Sequence, residues 1–156
     1  MPPRELSRVH VYELPDRLFL HPLALTDAGF WLAVEPGRRL EGAASNDELG
    51  SVAQALITPR SMVPTPGRED YAALARPLLR AAGLKSWMTL QRKARLCGVA
   101  RERDRFVIVP TSNGGSRGDQ KGFHELGELA RGLPLNVGSA ELGQAVRDGL
   151  AKSHGP

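Results

Sequence analysis

The sequence is poor in cysteine, in aromatic residues and in long apolar runs, and each shortage excludes a class of protein. The single cysteine, Cys97, cannot form an internal disulfide, which predicts a reducing compartment. No stretch approaches the about 18 apolar residues of a membrane span, and the N-terminus lacks the roughly 7–15-residue apolar run of a secretory signal. We therefore expect a cytoplasmic bacterial protein whose 156 residues form one domain, 1–156.

Residues that perform chemistry are present, but not in catalytic or metal-binding arrangements. Cys97 lies in an apolar run, where a free cysteine usually acts as a small buried hydrophobe. The four histidines, His10, His21, His124 and His154, are scattered, and no C-x-x-C or H-x-x-x-H spacing occurs. These patterns predict a protein that is not an enzyme and that holds neither a metal nor a cofactor.

Three strands are predicted near the N-terminus. Val9–Leu14 alternates apolar and polar residues, Arg17–Leu25 returns after a Pro-Asp turn, and Phe30–Val34 follows a second turn, so an antiparallel meander is expected. Pro22 predicts an edge position or a bulge, because proline cannot donate to a strand ladder. Trp31 is expected to pack on the core face.

Four helices are predicted, and three of them begin at a capping serine: Ser45, Ser86 and Ser139. The second helix covers Asp70–Gly83, where Pro77 should kink or split it and Gly83 should end it. The C-terminal residues Lys152–Pro156 are expected to fray.

A central hairpin is predicted from two apolar runs, Leu96–Ala100 and Phe106–Pro110, joined by the four charged residues 101–104. A last strand is expected at Gly132–Leu135. Strands in consecutive runs with separate helices indicate an α+β fold. The N-terminal meander and the central hairpin are expected to form one antiparallel sheet, with the helices packed against it.

The hairpin is followed by a glycine-rich loop, residues 112–122, with four glycines and no large apolar residue. Exposed loops on rigid strands often carry function. The loop does not fit a phosphate-binding P-loop, because Lys121 is neither preceded by glycine nor followed by serine or threonine. We interpret it as a recognition loop.

Positive charge is concentrated in the second half of the chain. Residues 1–80 hold 9 basic and 10 acidic residues, whereas residues 81–156 hold 12 basic and 7 acidic residues. Seven of the basic residues lie in Lys85–Arg105, with Trp87 and Phe106 nearby. Basic charge beside aromatic residues is typical of single-stranded nucleic-acid binding, so the basic hairpin around Arg92–Arg105 offers an alternative function.

Several stretches of the second half resemble a known family. They are Leu79–Trp87 (LRAAGLKSW), Val107–Thr111 (VIVPT), Gly122-Phe123, Leu133–Leu135 (LPL) and Ser139–Val146 (SAELGQAV). In this order, over roughly residues 78–150, they resemble a family of bacterial proteins that includes immunity proteins of contact-dependent growth inhibition systems.

The resemblance implies a cytoplasmic antitoxin without catalysis or cofactor. Such a protein binds the C-terminal toxin domain of a large exoprotein, typically a nuclease, and blocks its active site or substrate surface. Because the chain carries a formal charge of +4, it should bind through a locally acidic surface, bind away from the phosphate-binding groove of the toxin, or neutralise an acidic catalytic cluster with its own arginine and lysine side chains. The third option, in which these side chains pair with carboxylates of the toxin, is our hypothesis. The hypothesised toxin-binding residues lie on the loop and just after it: Asn113, Arg117, Asp119, Lys121, His124 and Glu125.

Overall fold

The computed structural model describes residues 5–156, with side chains from Ser7 onward, and its centre is an antiparallel sheet. The strands are β1 (Glu5–Glu13), β2 (Arg17–Leu25), β3 (Trp31–Ala33), β4 (Arg38–Glu41), β5 (Arg95–Glu102), β6 (Arg105–Asn113), β7 (Phe123–Glu125) and β8 (Arg131–Pro134). The helices are α1 (Asn46–Leu56), α2 (Asp70–Ala82), α3 (Trp87–Lys93) and α4 (Ser139–Lys152), with a 3-10 turn at Gly127–Leu129. The predicted α+β fold is confirmed.

The strand order is β3-β2-β1-β5-β6-β7, with β4 also pairing with β2 and β8 also pairing with β6. The predicted meander is therefore confirmed as β1, β2 and β3. The predicted hairpin is confirmed as β5 and β6, paired from Cys97↔Pro110 to Arg101↔Phe106, and it lies in the middle of the sheet. Among the described strands, β8 pairs with β6 alone.

One face of the sheet, the helical face, is covered by α1 and α4. Side chains such as Val9, Leu18 and Ile108 project from this face and pack on apolar residues of both helices, including Leu49 and Leu142. The alternation of side chains along each strand places every second residue on this face. It is the larger of the two apolar cores.

The opposite face, the open face, is covered only in part. Tyr12, Phe19 and Leu96 pack there against Leu78 of α2 and Leu90 of α3. Only Leu78 and Ala82 of the thirteen α2 residues are buried, because the first turns of that helix extend beyond the sheet. The rest of the open face lies free of helices.

Helices α1 and α4 cross in close contact because each has a glycine at the crossing. A Cβ atom at Gly50 would lie 1.7 Å from the carbonyl oxygen of Ser139, and one at Gly143 would lie 1.8 Å from that of Asn46. Arg147 of α4 also donates a 3.0 Å hydrogen bond from Nε to the side chain of Asn46. The helix pair is therefore held at backbone contact.

Two helix starts follow the predicted serine caps and one does not. Ser45 Oγ accepts from the Glu48 amide at 3.1 Å, and Ser86 Oγ accepts from the Met88 amide at 3.1 Å. The expected cap at Ser139 is wrong, because Gly138 occupies that position and Ser139 is already helical. The Ser139 hydroxyl instead donates to Gln54 of α1 at 3.1 Å.

Three further expectations differ from the structure. Pro22 lies on an interior strand, between the residues that pair with β4 (17–20) and those that pair with β3 (23–25), and its carbonyl oxygen accepts a 3.0 Å hydrogen bond from Val34 N–H. Helix α2 runs unbroken through Pro77. The tail does not fray before His154, since its amide donates to Thr111 O at 2.9 Å and Ser153 is buried. For the tail, a tertiary contact with β6 overrides the local tendency of a chain end to fray.

Two histidines are enclosed on the open face where α3 meets the sheet. His21 is 1% exposed, and its ring lies 5.5 Å from that of His10 and 5.9 Å from that of Trp87. The Nδ1 atom of His21 lies 2.9 Å from Pro22 O, a group that only accepts, so Nδ1 carries the proton. Burial disfavours the charged ring and lowers the pKa of His21 to about 4.

A glycine at the helix crossing should be essential for stability. We expect Gly50→Ala to lower the free energy of unfolding by about 3 kcal/mol, because the new methyl group would overlap the Ser139 backbone, which cannot rotate away. Urea unfolding measures the loss. Gly127→Ala, where a Cβ meets nothing within 4 Å, is the control. Equal stability of the two variants would contradict the close crossing.

Stability should fall as the pH drops from about 6.5 to about 4. Over this window the unfolded His21 takes up a proton that the folded protein does not bind, so the contribution of His21 to stability is complete above the window, declines through it and does not change further below it. The total effect is on the order of 3 kcal/mol. Urea midpoints at pH 7.5 and 4.5 should differ less in His21→Leu than in the wild type or in His154→Gln. Equal differences in all three proteins would refute this assignment.

Candidate recognition surface

The uncovered part of the open face forms a groove of about 480 Å³. Strands β1, β5 and β6 form its floor, β3 borders it on one side and β7 on the other. A groove of this volume matches binding sites for small molecules or for a few side chains of a partner. The lining is largely aromatic and aliphatic, with Tyr12, Phe30, Trp31, Leu96 and Phe123 among its members.

Glycine keeps the floor of the groove low. Gly98 faces it from β5, paired with His10 of β1 and Val109 of β6. A Cβ atom at Gly98 would meet only the carbonyl oxygen of Val109, at 3.8 Å. The space above Gly98 is therefore open to a ligand rather than filled by the protein's own side chains.

Polar groups are few and lie at one end of the groove. The guanidinium group of Arg8 sits 5.0 Å from the centre of the Trp31 ring, and its Nη1 lies 3.6 Å from Glu125 Oε1. His10 also lines the groove. Burial, then the neighbouring His21 and then Arg8 lower the pKa of His10 well below its ordinary value, so the ring is neutral. The groove is thus apolar with one ion pair at its rim.

The position of Trp31 corrects our expectation that it packs on the core face. The pairing of Leu25 with Trp31 and of Leu23 with Arg8 places all four residues on the open face. Trp31 is half-buried there beneath Arg8 and lines the groove. Alternation within β3 could not reveal this, because the assignment of a strand to one face depends on its register with β2.

The glycine-rich loop next to the groove has a defined conformation. Gly114 N–H donates to Gly122 O at 2.8 Å, and Gly122 N–H donates to Gly115 O at 2.9 Å, which closes the base of the loop. A Cβ atom at Gly114 would lie 1.4 Å from the Gln120 oxygen, so the two arms of the loop touch. The loop therefore extends the β6–β7 hairpin rather than being a flexible connection.

Asn113 is placed differently from the other five predicted site residues. It is 5% exposed, whereas we expected an exposed contact residue. Its Nδ2 group donates to Ala94 O at 2.7 Å and to Leu90 O at 3.4 Å, and its Oδ1 accepts from Gly115 N–H at 2.8 Å. Both polar atoms of the side chain are therefore hydrogen-bonded within the protein.

The other five predicted residues lie at the surface. Arg117, Asp119 and Lys121 are exposed on the loop, and no ion pair involves them among residues 5–156. His124 and Glu125 follow on β7, on opposite faces of the sheet. His124 Nε2 lies 3.0 Å from Gln120 O, and Glu125 reaches Arg8. The structure thus brings the loop and one end of the groove together at Glu125.

Three functional candidates escaped sequence reasoning: Arg8, Trp31 and Arg92. Arg8 and Trp31 belong to the groove through sheet register. Arg92 of α3 reaches the loop, where its Nε donates to Ser116 Oγ at 3.2 Å. It thereby adds a third cation to the neighbourhood of Arg117 and Lys121. No local pattern links α3 to a loop more than twenty residues later.

The basic run that suggested nucleic-acid binding is divided in space. Arg92 and Lys93 end α3 and Arg95 begins β5, whereas Arg101 lies near the far end of β5, about 20 Å away for six strand residues, and Arg103 lies in the turn that follows. The two aromatic residues are not exposed stacking platforms, because Phe106 is 6% exposed and Trp87 packs against the second core. The basic residues of this run therefore do not gather in one compact cluster.

Other sites of chemistry are few in the part of the chain that the structure describes. Residues 5–156 contain no group of three or more His, Cys, Asp or Glu side chains able to hold a metal ion. Burial raises the pKa of the Cys97 thiol to about 12, so this cysteine is unreactive. None of the helices in these residues combines the length and the apolar character needed to span a membrane.

Comparison with solved structures finds proteins of similar fold. A protein of unknown function from Neisseria meningitidis aligns over 99% of this chain and 100% of its own, with a TM-score of 0.74 and 15% identity. The CdiA-CT/CdiI toxin and immunity complex from Yersinia pseudotuberculosis aligns over 94% of this chain and 97% of the other, with a TM-score of 0.71 and 14% identity. At such identities the likeness concerns the fold.

Sequence comparison identifies the family. No curated protein matches the chain. Residues 38–153, well over half of the sequence, match the CdiI family of CDI immunity proteins, where CDI denotes contact-dependent growth inhibition. The match includes the four helices, the central hairpin and the glycine-rich loop. The chain therefore belongs to the family of CDI immunity proteins.

Proposed function

We propose that this protein binds and neutralises, in the cytoplasm, the C-terminal toxin domain of a contact-dependent growth inhibition exoprotein, and that this toxin is a nuclease. Membership of the CDI immunity family supports the toxin as a partner. A solved relative in fold is described as a toxin and immunity complex. The observation that carries the proposal here is a closed, cationic loop joined to an apolar groove on an uncovered sheet face.

The contact residues that we propose on the loop and β7 are Arg117, Asp119, Lys121, His124 and Glu125. Arg117 and Lys121 are exposed cations without an ion pair in the described chain, so a partner's carboxylates can pair with them. A metal-dependent nuclease gathers carboxylates around its metal ion. Cations placed on such a cluster would compete with the metal and the RNA or DNA phosphates, which inhibits without any chemistry by the inhibitor.

The groove beside the loop supplies the apolar part of the proposed interface. Its aromatic walls and open floor fit an apolar side chain of the toxin. Interfaces of this kind usually concentrate binding energy in a few buried apolar anchors, with charged residues around them. The ion pair between Arg8 and Glu125 lies where the groove meets the loop, so both parts form one continuous surface.

Calorimetric titration with the toxin domain encoded immediately upstream tests the function. We expect tight one-to-one binding at physiological salt and stoichiometric loss of the toxin's nuclease activity. A parallel titration with bulk RNA tests the alternative of nucleic-acid binding, whose affinity would fall steeply with salt. Binding of RNA without binding of the toxin would overturn the proposal.

Reversing the loop charges should weaken the complex. We expect Arg117→Glu with Lys121→Glu to raise the toxin Kd at least tenfold, or about 1.4 kcal/mol, because attraction to carboxylates becomes repulsion. The matched control is Arg68→Glu with Arg76→Glu, the same change in net charge at exposed positions near or on α2. Calorimetry compares the pairs. An equal loss of affinity in both would show that total charge, not this loop, controls binding.

Filling the groove should also weaken the complex while leaving the fold intact. In Gly98→Val the new Cβ atom meets only Val109 O, at ordinary contact distance, and valine favours strands. We expect an unchanged or higher Tm and a Kd raised at least tenfold. Gly132→Val, at an exposed strand position outside the groove, is the control. A wild-type Kd for Gly98→Val would show that the toxin does not enter the groove.

A further inference from the structure

Two connections attach the glycine-rich loop to helix α3. At the base of the loop, the side chain of Asn113 bridges three backbone groups: Ala94 O, Leu90 O and Gly115 N–H. Three residues after Asn113, Ser116 Oγ accepts the 3.2 Å hydrogen bond from Arg92 Nε. Both connections run to the last turn of α3 or to the residue after it. We call this set of contacts the α3 brace.

The hydrogen-bonding capacity of Asn113 explains why the brace is specific. Its amide group offers two N–H donors and a carbonyl acceptor, and all three functions are directed at main-chain groups of two separate segments. A buried polar side chain whose hydrogen-bonding groups are all paired stabilises one conformation, because any other conformation leaves a buried polar group unpaired and costs free energy. Asn113 thus sets the direction in which the loop leaves β6.

The end of α3 is itself held firmly. Leu90 is 1% exposed and Ala94 is fully buried, both within the second core. Ala94 N–H donates to Leu90 O at 2.8 Å, which completes the helix. The brace therefore connects the loop to the core rather than to another mobile segment.

We propose that the α3 brace holds the loop in its binding conformation before the partner arrives, so that Asn113, Ser116 and Arg92 act as positioning residues. This rests on the proposed function, since it assumes that the loop contacts the toxin. Ordering a loop on binding costs affinity, and a loop that is already ordered avoids that cost. Arg117 and Lys121 then meet the toxin's carboxylates at a fixed spacing.

The brace assigns Asn113 a role other than the direct contact that the sequence suggested. A direct contact residue would affect toxin binding alone. A positioning residue also changes the free protein, because the amides of Gly115, Lys121 and Gly122 lose protection from exchange when the loop opens. Amide hydrogen exchange of the free protein therefore separates the two roles.

The first test uses Ser116→Ala, which removes one connection without changing charge or core packing. We expect the loop amides of the free variant to exchange at least fivefold faster than in the wild type and the toxin Kd to rise about fivefold. Exchange in the complex should return to the wild-type rate. Ser51→Ala, an exposed serine on α1, is the matched control and should change neither quantity.

The second test uses Asn113→Ala, with Asn136→Ala at an exposed turn as its control. Amide hydrogen exchange in the loop should be faster, and the toxin Kd higher, than in Ser116→Ala, while the amides of α1 and α4 keep their protection from exchange. Unchanged loop exchange in Ser116→Ala, or fast exchange with a wild-type Kd, would overturn the brace while leaving the proposed function intact. Failure of the wild-type protein to bind the toxin would overturn both.

Discussion

The sheet has two faces to cover, and the only helices in the described chain are four short ones, of 11, 13, 7 and 14 residues. The two that cross at Gly50 and Gly143 lie so close together that they cover the helical face as one layer. The other two cover only the end of the open face near Tyr12 and Leu96. What remains uncovered is the groove, so the recognition surface is a direct consequence of how the helices are distributed.

An uncovered apolar sheet face costs solubility unless it is small, polar at its rim or occupied by a partner. Here the groove is bordered by the Arg8–Glu125 ion pair and by the cationic loop. The same charged groups at the border of the groove would contribute specificity in a complex, because charge around an apolar centre excludes partners with the wrong charge pattern. The proposed inhibition of a nuclease by a basic protein agrees with these features, since such a protein would pair with carboxylates of the enzyme rather than imitate its substrate.

Charged residues that are neighbours in the sequence of this protein are not always neighbours in its structure. The run Lys85–Arg105 looks like one basic patch, but β5 separates its two ends by about 20 Å. Conversely, Arg92 lies in α3, yet it contacts Ser116 in the loop and so joins Arg117 and Lys121. The nucleic-acid alternative depended on the first kind of adjacency, whereas the proposed toxin surface depends on the second.

The sequence by itself determined the features that are governed by a few neighbouring residues. The caps at Ser45 and Ser86, the left-handed Gly83 at the end of α2 and the β5–β6 hairpin all depend on hydrogen bonds or steric limits within a few positions. The motifs of the second half also identified the family. Only the tertiary structure decided which face each strand presents, that Trp31 lines a groove and that Asn113 is buried. These outcomes arise from strand register and from packing between segments far apart in the chain, where free energies of many small contacts outweigh any local preference.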